Sequence, residues 1–307
     1  MFKAGDRIGF FSENSTPPHR RKTTPRKKLI SRLRIFLDSF VKLSETYIRT
    51  AKLQDSFLQA ADKAVKVAYS ISTLQNNPQK ALTLLSDLLL EQEQITDSFL
   101  LASLYLKRGR AYAQLDLEKA IDDYQTAIKT FSVKDSIHIA DAYLFSARAY
   151  SNLGKFVEAG DSFRNASTFF EALKDYEYMY YAQQGIITMF SMNGFHEKAM
   201  KEREKNLKKI ESLELTHHLP TEYYNQALDY EKIGNKIKYL EYLFKAKDAI
   251  DNSRKNNLEI SNEMYVYAEL VDYYCESGQL SAAEDYLALI NQFHKNSQKN
   301  YTIIATN

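Results

Sequence analysis

Apolar residues recur along most of the chain at intervals of three and four positions, which is the spacing of one face of an α-helix. Residues 1–24 lack this spacing and are mostly polar, so we expect them to form a disordered basic tail. Thr24 can cap a helix whose first residue is Pro25. An amphipathic leading helix is therefore predicted over residues 25–60, with apolar residues on one face at Ile30, Leu33, Leu37, Phe40 and Val41.

Beyond residue 60 the helical pattern begins to repeat. Glycines at positions 154, 194, 234 and 278 are separated by 40, 40 and 44 residues. Three of these glycines lie five residues before an alanine, and Gly234 lies five residues before Tyr239. A glycine at a fixed interval in an otherwise helical pattern indicates a turn between two helices. A period near 40 predicts a stack of similar units, each one a supersecondary element.

Small and large residues occupy fixed positions around these turns. A small residue precedes a tyrosine by three positions before the turn, where it lets two helices approach closely. After the turn a small, a large and a second small residue follow at spacings of four and three, which places them on one helical face. The most complete match reads Tyr143-x-x-x-Ala147-x-x-Tyr150-x-x-x-Gly154-x-x-x-x-Ala159-x-x-x-Phe163-x-x-Ala166.

This arrangement resembles the tetratricopeptide repeat, in its variant with longer units of about 40 residues. The resemblance implies an all-α fold, a right-handed α-solenoid of antiparallel helix pairs, with about six pairs over residues 61–295 and a polar tail over 296–307. It also implies a non-catalytic adaptor or scaffold that binds a peptide or a helix of another protein in its concave groove. Three positions depart from the pattern: Tyr69 stands at the small position of the first pair, and Arg203 and Asn206 replace apolar or small residues in the fourth.

The resemblance also assigns candidate groove residues, because the first helix of each pair lines the concave surface in that architecture. The residue after the small position is Arg110 in the second pair and Arg148 in the third. Asn225 of the fifth pair is expected on the same concave surface, and so are Glu269 and Asp272 of the sixth pair. We therefore expect a groove that is basic in its first half and acidic in its last half.

Such a groove favours a partner with an acidic segment or a carboxylate terminus at the basic end. The alternative is that Arg110 and Arg148 pair with acids of neighbouring helices, such as Asp141, as surface charges often do.

The charge of the chain changes this picture only at its start. A formal net charge of +2 over 307 residues is too small to imply a polyanionic partner for the whole chain. The excess of arginine and lysine near the start of the chain could contact nucleic acid or anionic lipid, although no aromatic residues alternate with these basic residues. A solubilising tail is the simpler interpretation of this segment, which contains Arg20, Arg21, Lys22, Arg26, Lys27 and Lys28.

The residue patterns of enzymes and cofactor sites are absent from the sequence. Glycines occur singly rather than in the clusters that hold phosphates. His196 and Glu197 lack the second histidine of a metalloprotease helix. His217 and His218 show no partner ligand and are expected in a solvated linker, and the lone Cys275 is expected to be a buried small side chain. We predict no catalysis, no cofactor and no metal.

A lone cysteine and the lack of any run of ~20 apolar residues favour a cytoplasmic protein without a membrane span. Two further alternatives stay open at this point. The longer repeats also resemble ligand- or peptide-sensing modules of bacterial regulatory systems, whose output domain would have to belong to another chain. The apolar residues of the last pair could also be covered by a second copy of the chain, in a homodimer.

Overall fold

The computed structural model describes residues 25–256 and 262–292, and in these ranges all regular secondary structure is helical. A long first helix is followed by six helix pairs, α2–α3 to α12–α13. The helices are α1 (Pro25–Leu53), α2 (Phe57–Tyr69), α3 (Pro78–Leu89), α4 (Ser98–Tyr112), α5 (Leu117–Thr130), α6 (Ser136–Asn152), α7 (Phe156–Ala172), α8 (Tyr176–Met192), α9 (His196–Ser212), α10 (Leu219–Lys232), α11 (Lys236–Lys255), α12 (Glu263–Glu276) and α13 (residues 280–292). None of the helices in these ranges has the length and hydropathy of a bilayer span.

The leading helix is shorter than the predicted range of 25–60. It ends at Leu53 because Asp55 takes a left-handed φ of 55° and the Ser56 amide donates to the carbonyl oxygen of Ala51, at 2.8 Å. Among the side chains of α1 that the structure describes, the contacts with the core begin at Leu37, and Leu33 on the predicted apolar face is 58% exposed. Ile30 lies outside the residues whose side chains are described.

The turn glycines adopt the conformation that their spacing predicts. Gly154, Gly194, Gly234 and Gly278 have φ between 72° and 76°, the left-handed region that favours glycine. After each of them, the next amide donates to the carbonyl oxygen five residues earlier, as from Lys155 to Tyr150 at 2.9 Å. This bond satisfies a free carbonyl at the helix end and directs the chain into the second helix of the pair.

The first pair has a different register from the one predicted. Ala68 is only 2% exposed and occupies the small position, whereas Tyr69 is 43% exposed. A π-helical turn over Ser70–Leu74 accounts for the shift, because a π turn accommodates one residue more than an α turn. Tyr69 therefore takes the position after the small residue, which corresponds to Arg110 in the second pair.

The core is formed both within each helix pair and where consecutive pairs stack. Ala147, Ala159 and Ala166 are completely buried and Phe163 is 7% exposed, so the small and large positions pack as expected.

The side chain of Cys275 is exposed, whereas the sequence predicted that it would be buried. It lies five residues after the buried Leu270, which places it about 140° around α12 from the core face.

Two helical glycines provide a matched test of this packing. A Cβ atom at Gly185 of α8 would lie 2.5 Å from the ring of Phe163, whereas one at Gly160 of α7 would meet nothing closer than 3.9 Å. We expect Gly185→Ala to lower the free energy of unfolding by about 1–3 kcal/mol through overpacking. Gly160→Ala should raise it by about 0.5–1 kcal/mol through helix propensity. Urea unfolding measures both, and a stabilised Gly185→Ala variant would contradict the packing described.

Candidate functional site

Two of the predicted groove residues meet in one cleft. Arg110 of α4 and Arg148 of α6 line a cavity of about 240 Å³ between the second and third pairs. We call this the basic cleft; its other lining residues are Ala113, Leu117, Tyr124, Phe145, Ala149 and Asn152. The structure thus brings together two arginines that are 38 positions apart in the sequence.

Close packing behind the cleft fixes the direction of both arginines. Gly109 has no space for a side chain, because a Cβ atom there would lie 2.7 Å from the Tyr124 ring. Ala147 is completely buried in the equivalent position of α6. The residue that follows each small position is consequently rotated away from the core, and both guanidinium groups reach the cleft.

Aromatic rings hold the guanidinium group of Arg110. Its central carbon lies 4.8 Å from the centre of the Phe145 ring and 5.5 Å from that of Tyr69. A cation placed over an aromatic face is attracted by the negative face of the ring. The side chain of Arg110 is therefore held by two neighbouring first helices, α2 and α6, while its hydrogen-bond donors are not consumed by the rings.

Neither arginine makes a direct salt bridge among the described residues, although the charge of Arg110 does act on the carboxyl group of Asp141, the acid of the alternative interpretation. Asp141 is partly buried, and this burial raises its pKa above the ordinary range of aspartate. Lys107 adds a further positive group, whose pKa is lowered first by burial and then by the charge of Arg110. The basic cleft consequently carries positive charge that nearby acids do not fully neutralise.

The predicted acidic residues also meet. Glu269 and Asp272 of α12 line a second cavity, of about 320 Å³, with the turn between α10 and α11. The hydroxyl of Tyr239 donates a hydrogen bond to Oε2 of Glu269 at 2.9 Å. Nζ of Lys236 lies 3.3 Å from Oε2 of Glu276. We call this the acidic cleft, and it is partly neutralised by its own lysine; the remaining lining residues are Glu231, Gly234 and Tyr273.

Two other predictions are not placed in either cleft. Asn225 of α10 is half-buried and lines neither the basic nor the acidic cleft. The basic tail residues Arg20, Arg21 and Lys22 lie outside the described residues, and so do the side chains of Arg26, Lys27 and Lys28. The suggested contact with nucleic acid therefore stays a prediction.

A buried ionic cluster lies between the fourth and fifth helix pairs. Arg203 of α9 is 7% exposed, and its Nε donates to Asp229 at 2.9 Å while its terminal nitrogen lies 3.4 Å from Glu222. Glu222 is completely buried and also accepts from the hydroxyl of Tyr180 at 2.9 Å. Burial raises the pKa of Glu222, and Arg203 opposes that increase. The departure of Arg203 from the repeat pattern was the sequence signal for this cluster.

The histidine pair lies in the linker between the fourth and fifth pairs, as predicted, but only His217 is solvated there, with a side chain that is 37% exposed. His218 has a side chain that is only 12% exposed, and its ring stacks on Tyr180 with centres 3.7 Å apart. Burial lowers its pKa below that of an ordinary histidine. Both histidines contact Glu177, a residue about 40 positions earlier, which the local sequence pattern gives no reason to connect with them.

Stacked pairs of helices, with clefts between their first helices, define the class of tetratricopeptide-like helical solenoids. No protein-family model matches the chain, and no curated protein matches it either. Solved structures do match. The apo form of RapI aligns with a TM-score of 0.63 and 14% identity, over 83% of this chain and 75% of that chain.

Two further structures show the same fold. BtubC from P. vanneervenii aligns with a TM-score of 0.55 and 16% identity, over 73% of this chain and 94% of its own. A variant form of the nearly identical TPR-like repeats of a Podosopora anserina protein described as a putative kinesin light chain aligns with a TM-score of 0.51 and 15% identity, over 63% of this chain and 96% of its own. These likenesses establish a tetratricopeptide-like fold.

Proposed function

We propose that the protein is an interaction module that binds an acidic segment, or a C-terminal carboxylate, of a partner protein in the basic cleft. The observation that carries this proposal is the convergence of Arg110 and Arg148, from neighbouring pairs, without an ion pair for either among the described residues. A guanidinium group without a direct salt bridge can donate two parallel hydrogen bonds to a carboxylate.

The size and the walls of the basic cleft favour an anchoring side chain or chain terminus. Its volume of about 240 Å³ is below the range of roughly 300–1,000 Å³ that is common for small-molecule pockets. Phe145 and Tyr124 supply apolar walls, and the rings around Arg110 reduce the conformational freedom that binding would otherwise remove. The cleft therefore suits one carboxylate anchor of a longer segment.

The acidic cleft would orient such a partner. Glu269 and Asp272 lie in the sixth pair, four pairs away from α4, so a segment along the first helices would meet opposite charges at its two ends. Complementary charge contributes more to orientation and association rate than to affinity. A partner segment with acidic residues at one end and basic residues at the other fits this arrangement.

Charge reversal in the basic cleft tests the proposal. We expect the double variant Arg110→Glu, Arg148→Glu to bind fluorescein-labelled acidic peptides with free C-termini at least tenfold more weakly than the unmodified protein. Hydrogen bonds to charged groups contribute about 1.5–3 kcal/mol each, and about 1.4 kcal/mol corresponds to a factor of ten. Fluorescence anisotropy at two salt concentrations measures the affinity.

The control carries the same change of net charge elsewhere. Lys129 of α5 and Arg164 of α7 are exposed and lie on second helices, so Lys129→Glu with Arg164→Glu should leave affinity nearly unchanged. Equal losses in the two double variants would show a nonspecific attraction, and unchanged binding after reversal of Arg110 and Arg148 would exclude this cleft as the site.

A further inference from the structure

Three potential metal ligands converge at the junction between the fourth and fifth pairs. Nε2 of His217 lies 3.0 Å from one carboxylate oxygen of Glu177, and Nε2 of His218 lies 2.9 Å from the other. All the ligand atoms of these three residues lie within 4.8 Å of one another. Glu177 is in the first turn of α8, whereas the histidines form the short 3₁₀ turn Thr216–His218 immediately before α10.

The two adjacent histidines act together through their side-chain rotamers, not through the direction of the backbone. Consecutive residues point about 100° apart in an α-helix and about 120° apart in a 3₁₀ turn, so neither backbone provides a shared ligand face. His217 and His218 precede α10, and their ring centres are 4.0 Å apart with an interplanar angle of 42°. Both Nε2 atoms can therefore face the same carboxylate group.

Packing orients the buried member of this pair. The ring of His218 stacks on Tyr180 at an interplanar angle of 16°, and the hydroxyl of Tyr180 is held by the buried Glu222. Ligands that are fixed by a supporting shell need little reorganisation when they bind a metal. His217 and Glu177 are more accessible, with side chains 37% and 47% exposed, so an ion can reach the cluster from solvent.

Two imidazole nitrogens and a carboxylate are a donor set that suits Zn²⁺. Zinc binds His nitrogen and Glu oxygen at about 2.0–2.2 Å, and tetrahedral geometry at that radius separates the ligand atoms by about 3.3–3.5 Å. One ligand atom from each of the three residues lies within 4.8 Å of the others, and each Nε2 faces a different oxygen of Glu177, so side-chain rotations must bring the three atoms to this separation. Mg²⁺ and Ca²⁺ prefer sites made of oxygen ligands alone.

We propose that Glu177, His217 and His218 form a binding site for Zn²⁺ that links the start of α8 to the start of α10. In the metal-free protein each Nε2 donates a hydrogen to Glu177; the ion replaces these hydrogens, which pass to solvent, and each bound neutral imidazole carries its one proton on Nδ1. Three protein ligands leave one tetrahedral position for water. The bound ion joins two consecutive helix pairs and stabilises their junction, which adds a ligand-dependent element to the solenoid.

Zinc titration of the full chain tests this proposal. After removal of metal with a chelator, ZnCl₂ is titrated into the protein by calorimetry, and thermal unfolding is followed at increasing ZnCl₂ and, separately, MgCl₂. We expect one saturable zinc site and a Tm that rises with zinc concentration but not with magnesium.

Conservative variants locate the site. Glu177→Gln and His217→Gln should each weaken zinc binding at least tenfold, and they avoid the stacked His218. His196→Gln is the matched control, because His196 is exposed at the start of α9, and it should bind zinc like the unmodified protein. Circular dichroism confirms that each variant is folded. The proposal is overturned if the unmodified protein shows no saturable binding, or if Glu177→Gln and His217→Gln bind zinc as tightly as it does.

Discussion

Replacing Arg203 with methionine is expected to lower the free energy of unfolding by about 3–5 kcal/mol, because it leaves the buried carboxylate of Glu222 without its ion pair. Glu222 is completely buried, so water cannot replace its lost ion pair, whereas Asp229 keeps Lys232, whose Nζ lies 3.8 Å from Oδ1. Methionine preserves much of the volume of arginine, so the loss measures the charge rather than a cavity. Chemical denaturation at neutral pH gives the difference in free energy.

An exposed arginine supplies the comparison for this variant. Arg164 pairs with Asp161 at 2.6 Å, but both side chains are more than half exposed, so Arg164→Met should cost less than about 1 kcal/mol. A second comparison combines Arg203→Met with Glu222→Gln. This neutral amide removes one uncompensated charge and should recover part of the lost stability, whereas additive losses would contradict a coupled buried cluster.

The defect of Arg203→Met should also depend on pH. Burial raises the pKa of Glu222 in the folded state, and loss of Arg203 removes the charge that opposes this increase. A carboxyl group with a raised pKa favours folding below its unfolded value and loses that contribution as pH rises through the folded value. The difference between variant and unmodified protein should therefore be smaller near pH 4.5 than at pH 8. A constant difference over this interval would contradict the role given to Glu222.

Local signals in the sequence predicted the helix pairs well. Glycine is the residue that most easily adopts the left-handed conformation, so Gly154, Gly194, Gly234 and Gly278 identified four turns directly. The small and large positions identified the faces that pack, because they depend on helical spacing within one element. The same register predicted that Arg110 and Arg148 approach each other, since equivalent positions of stacked repeats become neighbours.

The remaining features depend on contacts or turns that local spacing does not encode. The π turn after Tyr69 changes the register of the first pair by one residue, and helical periodicity assumes that no such insertion occurs. Glu177 meets His217 and His218 only because two pairs stack, so the pair of histidines appeared to lack a ligand. The candidate arginines were predicted from register, but the aromatic contacts of Arg110 required three helices in place.

Truncation of Phe170 is expected to have the other large effect. Its side chain on α7 is completely buried and its ring centre lies 5.2 Å from that of Tyr178 on α8. Phe170→Ala removes apolar contact and leaves a cavity, which typically lowers stability by about 3–5 kcal/mol. Phe195→Ala is the matched control: that ring is 51% exposed and should contribute roughly 1 kcal/mol or less.

The position along the chain at which Phe170→Ala loses stability tests the stacked-repeat architecture as well as the packing of the core. Each unit of a stacked repeat contacts only its neighbours, so a cavity between α7 and α8 weakens the interface of the third and fourth pairs most directly. Hydrogen exchange of Phe170→Ala should show reduced protection first in residues 156–192, with less change in α2 and α3. If residues 156–192 and helices α2 and α3 lose protection equally, the chain unfolds as a single cooperative unit. Opening of one interface alone would then cost more free energy than unfolding of the whole chain.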